Sequence, residues 1–282
     1  MRRKFSKPAH LPMMFIVGTG SKHANFELRY ALRSVEKFGS GVSRMIVAET
    51  LSEPGAPSAI DWLSPDVEHV LIDPFTDLRG RNRNITLTVL EGVRRANLTG
   101  DFILGIDDVF LTRPTDFSAL PTYAAAQHLP TVNPTGGSWG AAMVECGQWL
   151  RAHGYPDVNF MTHAHIRMSA DTIRCHFDEI LRTATTSETV RGFDILSLVG
   201  NMSLHDGRFP SPSSLAIRAD FKLTELDLTG VTDCFSIADK IFDDPRLFTY
   251  MDGIYPDPSK YESPASSPAP SSPFPVPSST NK

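Results

Sequence analysis

Two adjacent carboxylates, Asp107 and Asp108, end the apolar run Phe102-Ile103-Leu104 within TGDFILGIDDVFLTRP. A carboxylate left against a core strand is costly unless a cation or hydrogen bonds compensate. Two hard oxygen ligands suit Mg2+ or Mn2+ carried by a diphosphate, because these cations favour carboxylate, water and phosphate oxygen. A strand-to-loop exit that uses Asp for its turn chemistry also accounts for the pair. His163 and His165, in NFMTHAHIRM, stand two residues apart, so an extended backbone projects both from one face. Each suits a metal ligand, a general base working near neutral pH or a polar residue on a half-buried strand.

Cationic groups supply the complementary chemistry. Arg29 and Arg33 are one helical turn apart, and Arg79, Arg81 and Arg83 crowd a later loop. The guanidinium fork matches phosphate oxygens, although a solvated surface explains most such residues. GTGSKH, residues 18–23, follows the apolar PMMFIVG. It fails the dinucleotide fingerprint, which needs a third glycine where His23 stands, and it fails the GxxxxGK[ST] phosphate loop. A loop of small residues, with Gly18, Thr19, Gly20 and Lys22, can still approach a nucleotide.

These residues need a scaffold, and the first half of the chain alternates strand and helix signals. PMMFIVG, SRMIVAE, VEHVLID and DFILGI read as four strands. NFELRYALRSVEKFG reads as a helix with Leu28, Leu32 and Val35 on one face, Asn25 as N-cap and Gly39 at its end. NITLTVLEGVRRANLTG reads as a second helix, opened by Asn84, with Leu87, Leu90 and Val93 inward. This alternation predicts an α/β fold with a mostly parallel central sheet flanked by helices. Beyond Pro114 the pattern loosens. GAAMVECGQWLRAHG and GFDILSLVGNM read as helices, NFMTHAHIRM and DFKLTELDL as extended. SADTIRCHFDEIL reads as one helix capped by Ser169, with Asp171 in its first turn.

The chain has 282 residues, a net charge of -5 and a pI near 6.0, which disfavours a wholly basic nucleic-acid binder. Cys146, Cys175 and Cys234 lie far apart with no CxxC pair, against a disulfide framework or the usual zinc spacings. That usage, a first apolar run too short for a signal peptide and no stretch long enough to span a bilayer predict a cytoplasmic protein. Residues 263–282 are dominated by Ser and Pro, a composition that predicts disorder, so the expected organisation is one domain over 1–262 and a tail.

FELRYALRSVEKFGSGVSRMIVAET followed by GDFILGIDDVFLTRP resembles the second conserved region of the Stealth family of sugar-phosphate transferases. The shared elements are Glu27-Leu28-Arg29-Tyr30, Leu32-Arg33-Ser34, the strand Met45 to Val47, and Asp107-Asp108 with Phe110; Asn84 also has a counterpart. NFMTHAHIRM is similar to a later His-containing segment, and FSIADKIFDDPRLF and YPDPSKYE resemble the closing segments of phage-encoded relatives. The resemblance covers residues 12 to 262, with the 26–50 and 101–112 blocks its specific part. FIVGTGSK replaces the family's opening Trp-Val-Asp-Gly motif, and Ile106 stands where relatives often carry Asn or Asp.

The resemblance implies a GT-A-like fold and, taken literally, transfer of sugar 1-phosphate; together with the residue chemistry it leads to the expectation of a metal-dependent glycosyltransferase acting on a nucleotide-sugar. Asp107 and Asp108 would hold Mn2+ or Mg2+ against the donor diphosphate, and His163 or His165 would serve as base. Gly18, Thr19, Gly20, Lys22, Arg29, Arg33, Arg83 and Asn84 would contribute to donor binding. Transfer of sugar 1-phosphate to a glycan, glycosylation of hydroxymethylated bases in phage DNA, and a non-catalytic carbohydrate-binding role remain open alongside it. The expected acceptor is a glycan or a modified nucleic acid.

Overall fold

In the computed structural model, residues 10–18, 25–75, 81–124, 128–162, 164–209, 213–214, 222–223, 234–237, 244 and 246–263 are described. The strands are β1 (Leu11–Val17), β2 (Gly39–Ser40), β3 (Val42–Thr50), β4 (Glu68–Ile72), β5 (Asp101–Gly105), β6 (Val109–Leu111), β7 (Thr115–Asp116), β8 (Tyr123–Ala124), β9 (Ile166–Ser169), β10 (Ser213–Ser214), β11 (Lys222–Leu223) and β12 (Cys234–Ile237). The helices are α1 (Phe26–Phe38), α2 (Arg81–Arg95), α3 (Ser138–Ala152), α4 (Ala170–Cys175), α5 (Phe177–Thr186), α6 (Ile195–His205) and α7 (Arg246–Ile254).

The central sheet has the order β4-β3-β1-β5-β9. Its first four strands are parallel, and β9 runs antiparallel to β5 at the edge. Alternation along β1 divides the core in two. Met13, Phe15 and Val17 pack with Leu28, Leu32 and Val35 of α1 and with α7. Met14 points the other way, onto Leu87, Leu90 and Val93 of α2 and onto α4 and α6. The molecule is thus an α/β/α sandwich whose parallel strands are apolar on both faces. Among the described residues no helix is long and apolar enough to cross a membrane.

A smaller sheet extends this frame. β6, directly after Asp107-Asp108, pairs antiparallel with β12, and Phe110 packs against Phe235 across that pairing. α7 and the residues after it close over α1. Tyr255 donates its hydroxyl to the Leu111 carbonyl at 2.7 Å, and Tyr30 donates to Asp252 at 2.8 Å.

Several expected boundaries move. α2 begins at Arg81, so Asn84 lies inside the helix and not at its cap. Asn25 does occupy the N-cap position of α1, but in the left-handed region (φ 56°) and with no side-chain capping bond. Gly39 ends α1 in an extended conformation; its requirement is space, since a Cβ would stand 2.8 Å from the Phe117 ring. Residues 169–181 form two helices broken at His176, whose ring bonds Glu179 and Asp206. Ser169 caps α4 as expected, accepting from Thr172 N–H at 3.1 Å. The extended reading of 159–168 shrinks to β9, and most of residues 220–228 and all of 264–282 lie outside the described residues.

Candidate functional site at the carboxyl edge of the sheet

Chain order reverses between β1 and β5: β3 and β4 build out from one side of β1, and β5 returns to the other. In open α/β sheets such a switch point opens a crevice beyond the carboxyl ends of the strands. The register Phe15↔Gly105 aligns the end of β1, at Val17-Gly18, with the turn that follows β5. Gly18 is exposed there, with no atom of the described residues within 4 Å of where a Cβ would stand. Thr19, Gly20 and Lys22 lie outside the described residues, as do His163 and Arg79.

Asp107 and Asp108 occupy the centre of a tight turn between β5 and β6, half-buried, closed by Val109 N–H donating to the Ile106 carbonyl at 3.2 Å. The turn reading of the pair is therefore realised, and a turn at a strand end also presents carboxylates to a crevice. Among the described residues no group of three or more His, Cys, Asp or Glu side chains is placed to hold a metal ion. The donor set does not make a closed protein cage. It fits a hard cation held by one or two carboxylates and completed by phosphate oxygens and water, the usual manner of Mg2+.

His165 is 5% exposed and lies between the edges of Phe15 and Phe117, with ring centroids 5.8 and 5.7 Å away. Its Nδ1 accepts the Ile106 N–H at 3.2 Å, which leaves the ring proton on Nε2. Burial lowers its pKa to about 3. A ring with its one lone pair engaged and its charged form so disfavoured is poorly suited to removing a proton.

The arginines separate by partner. Arg33 donates Nε and Nη2 to the two oxygens of Glu262, at 2.8 and 2.9 Å, in a buried fork-to-fork pair. Burial works against its charge, but the Glu262 hydrogen bond and charge outweigh it and raise its pKa. Arg29 has its Nε 3.4 Å from the same carboxylate and its guanidinium 4.5 Å from the Trp62 ring centre. Here burial dominates and lowers the pKa. Both side chains tie α1 to the chain's last described segment. Arg83 donates to the carbonyls of Ala184, Ser187 and Thr189, so it organises the loop between α5 and α6. Asn84 is exposed on α2, its carbonyl accepting from the Thr88 hydroxyl at 2.8 Å.

That same loop brings up a cation the sequence reading passed over. β4 ends at the carboxyl edge and α2 runs back from it, so the α2 N-terminus sits at that edge. Asn82 N–H donates there to the Arg191 carbonyl at 2.9 Å, and Arg191 Nε donates to Asn82 Oδ1 at 3.3 Å. Gly192 adopts φ +84°, and a Cβ on it would stand 2.7 Å from the Arg83 side chain. The sequence signal was modest: an Arg-Gly pair just before Asp194, which caps α6 by accepting Ser197 N–H at 2.8 Å.

The crevice between α1, β6, β12 and α7, lined by Phe26, Glu27, Tyr30, Phe110, Phe248 and Met251 among others, leaves no room even for a water molecule and is packing. Compared with models of known protein families and with curated proteins, the chain matches none.

Proposed function

We propose that the chain is a GT-A-like glycosyltransferase that uses a nucleotide-sugar, with Mg2+ or Mn2+ held by Asp107 and Asp108. The observation that carries this reading is the register of β1 with β5, which aligns the Gly18 exit with the aspartate turn at the switch point. The resemblance of residues 26–50 and 101–112 to the Stealth family supports a GT-A-like transferase acting at this edge. When bound, the cation neutralises charge on the leaving diphosphate. Asp107 and Asp108 orient it from the end of β5. Arg191, brought to the same edge through Asn82, is a further candidate for donor phosphate. His163 is the remaining base candidate.

The experiment is donor turnover by Asp108→Asn across a Mn2+ titration, beside its melting temperature. The substitution keeps size and hydrogen bonding but removes charge, so metal-dependent turnover should fall by about 100-fold or more in a folded protein. A well-folded variant with full activity returns the pair to a turn alone. The same resemblance favours a second reading, transfer of sugar 1-phosphate. Product mass separates the two, because the phosphoryl group either travels with the sugar or stays on the nucleotide.

A further inference from the structure

The antiparallel register of β5 with β9, Leu104 opposite Ile166, brings His165 opposite Gly105 just past the end of the ladder. There the Ile106 N–H has passed the last paired residue on both sides, since β1 pairs with β5 only as far as Gly105. An amide at that point needs an acceptor, and the His165 Nδ1 supplies it. The rest of the ring lies in an apolar layer with Phe15 and Phe117. Its Nε2 is buried and has no hydrogen-bond partner among the described residues. Leucine would fill much of this space without burying an unsatisfied N–H. What histidine adds is the one bond to Ile106, the first residue of the turn that carries Asp107 and Asp108.

We infer that His165 is a positioning residue: as the neutral tautomer protonated on Nε2, it fixes the Ile106 amide and with it the direction in which the Asp107 and Asp108 carboxylates leave β5. This rests on the proposed role of that pair in holding a divalent cation, and its logic is that of the outer-shell partners that orient metal ligands.

Two measurements on the full chain separate the inference from the reading beneath it. Ring-nitrogen NMR of the uniformly 15N-labelled protein at neutral pH should show Nε2 protonated and Nδ1 an acceptor, with the Ile106 amide protected from exchange. A ring protonated on Nδ1, or an unprotected Ile106 amide, overturns the inference whatever the metal does. The second measurement follows broadening of the Asp107 and Asp108 amide signals during titration with Mn2+ alone. His165→Leu should weaken this binding about tenfold or more. His165→Asn, whose Oδ1 replaces Nδ1 as acceptor, should restore it to within about threefold of the unsubstituted protein. Equal Mn2+ binding by folded His165→Leu overturns the positioning role. Amide signals that Mn2+ leaves sharp in the unsubstituted protein overturn the metal reading, and the functional half of the inference falls with it.

Discussion

Arg33 and Arg29 converge on the Glu262 carboxylate, which also accepts from the Ser259 N–H at 2.8 Å. Removing one partner of a buried ion pair leaves the other charge uncompensated. Glu262→Gln should therefore lose about 3–5 kcal/mol of unfolding free energy in urea. A loss below about 1 kcal/mol would mark the pair as an exposed-type bridge. Glu49 offers a pH-dependent counterpart. It accepts from Ser58 Oγ at 2.6 Å and Ala59 N–H at 2.7 Å, with His69 Nε2 at 2.8 Å. Burial works to raise its pKa, but these bonds outweigh it and the net shift is downward. A carboxylate lowered on folding stabilises above its unfolded value, and that stability is lost as pH falls through the folded value. Glu49→Gln should cost about 1–3 kcal/mol at pH 7. The gap from the unsubstituted protein should shrink below about pH 4, and a gap constant down to pH 3 would contradict the linkage. The sequence displayed guanidinium groups suited to phosphate, but Glu262 lies 229 residues from Arg33 and no local pattern announces so distant a partner.

At the scale of elements, the four parallel strands and the first two helices were legible because their apolar residues repeat with clear strand or helix periods. β2, β6, β7 and β12 have two to four residues each and owe their extension to pairing partners elsewhere, so their own residues carry little signal. The break at His176 was hidden for a similar reason: the ring takes its partners from α5 and from Asp206 after α6. Close packing of β1 on β5 supplies an element-scale prediction. A Cβ on Gly105 would lie 2.7 Å from the fully buried Phe15 ring. Gly105→Ala should cost about 1–3 kcal/mol through overpacking. The double variant with Phe15→Leu should recover part of that loss, because the smaller side chain returns the space. Additive losses in the melting temperatures of the two single variants would show that the contact does not couple them.

Across the whole molecule, the last described segment is tied both to α1 and to the stretch between β3 and β4. Ser64 N–H donates to the Tyr261 carbonyl, and Ser263 N–H donates to the Trp62 carbonyl, both at 2.8 Å. Ser263 thus belongs to the fold, one residue beyond the expected domain end. Residues 264–282 hold almost nothing apolar beyond Phe274 and Val276. A chain ending at Ser263 should melt within about 2 °C of the full chain. One ending at Pro258 loses Glu262 and should melt at least about 8 °C lower, given the buried charges it strands. Equal melting temperatures for these two chains would show that the segment contributes no stability.

The distance between Arg33 and Glu262 along the chain also sets a timetable. At roughly 5–20 residues per second, synthesis delivers the carboxylate some 10–50 s after the arginines it neutralises. From the completion of β5 until Glu262 is made, the nascent chain has every strand of the parallel sheet but not the carboxylate that pairs Arg29 and Arg33 of α1. Docking of that helix is therefore expected to follow the emergence of Glu262 from the ribosome.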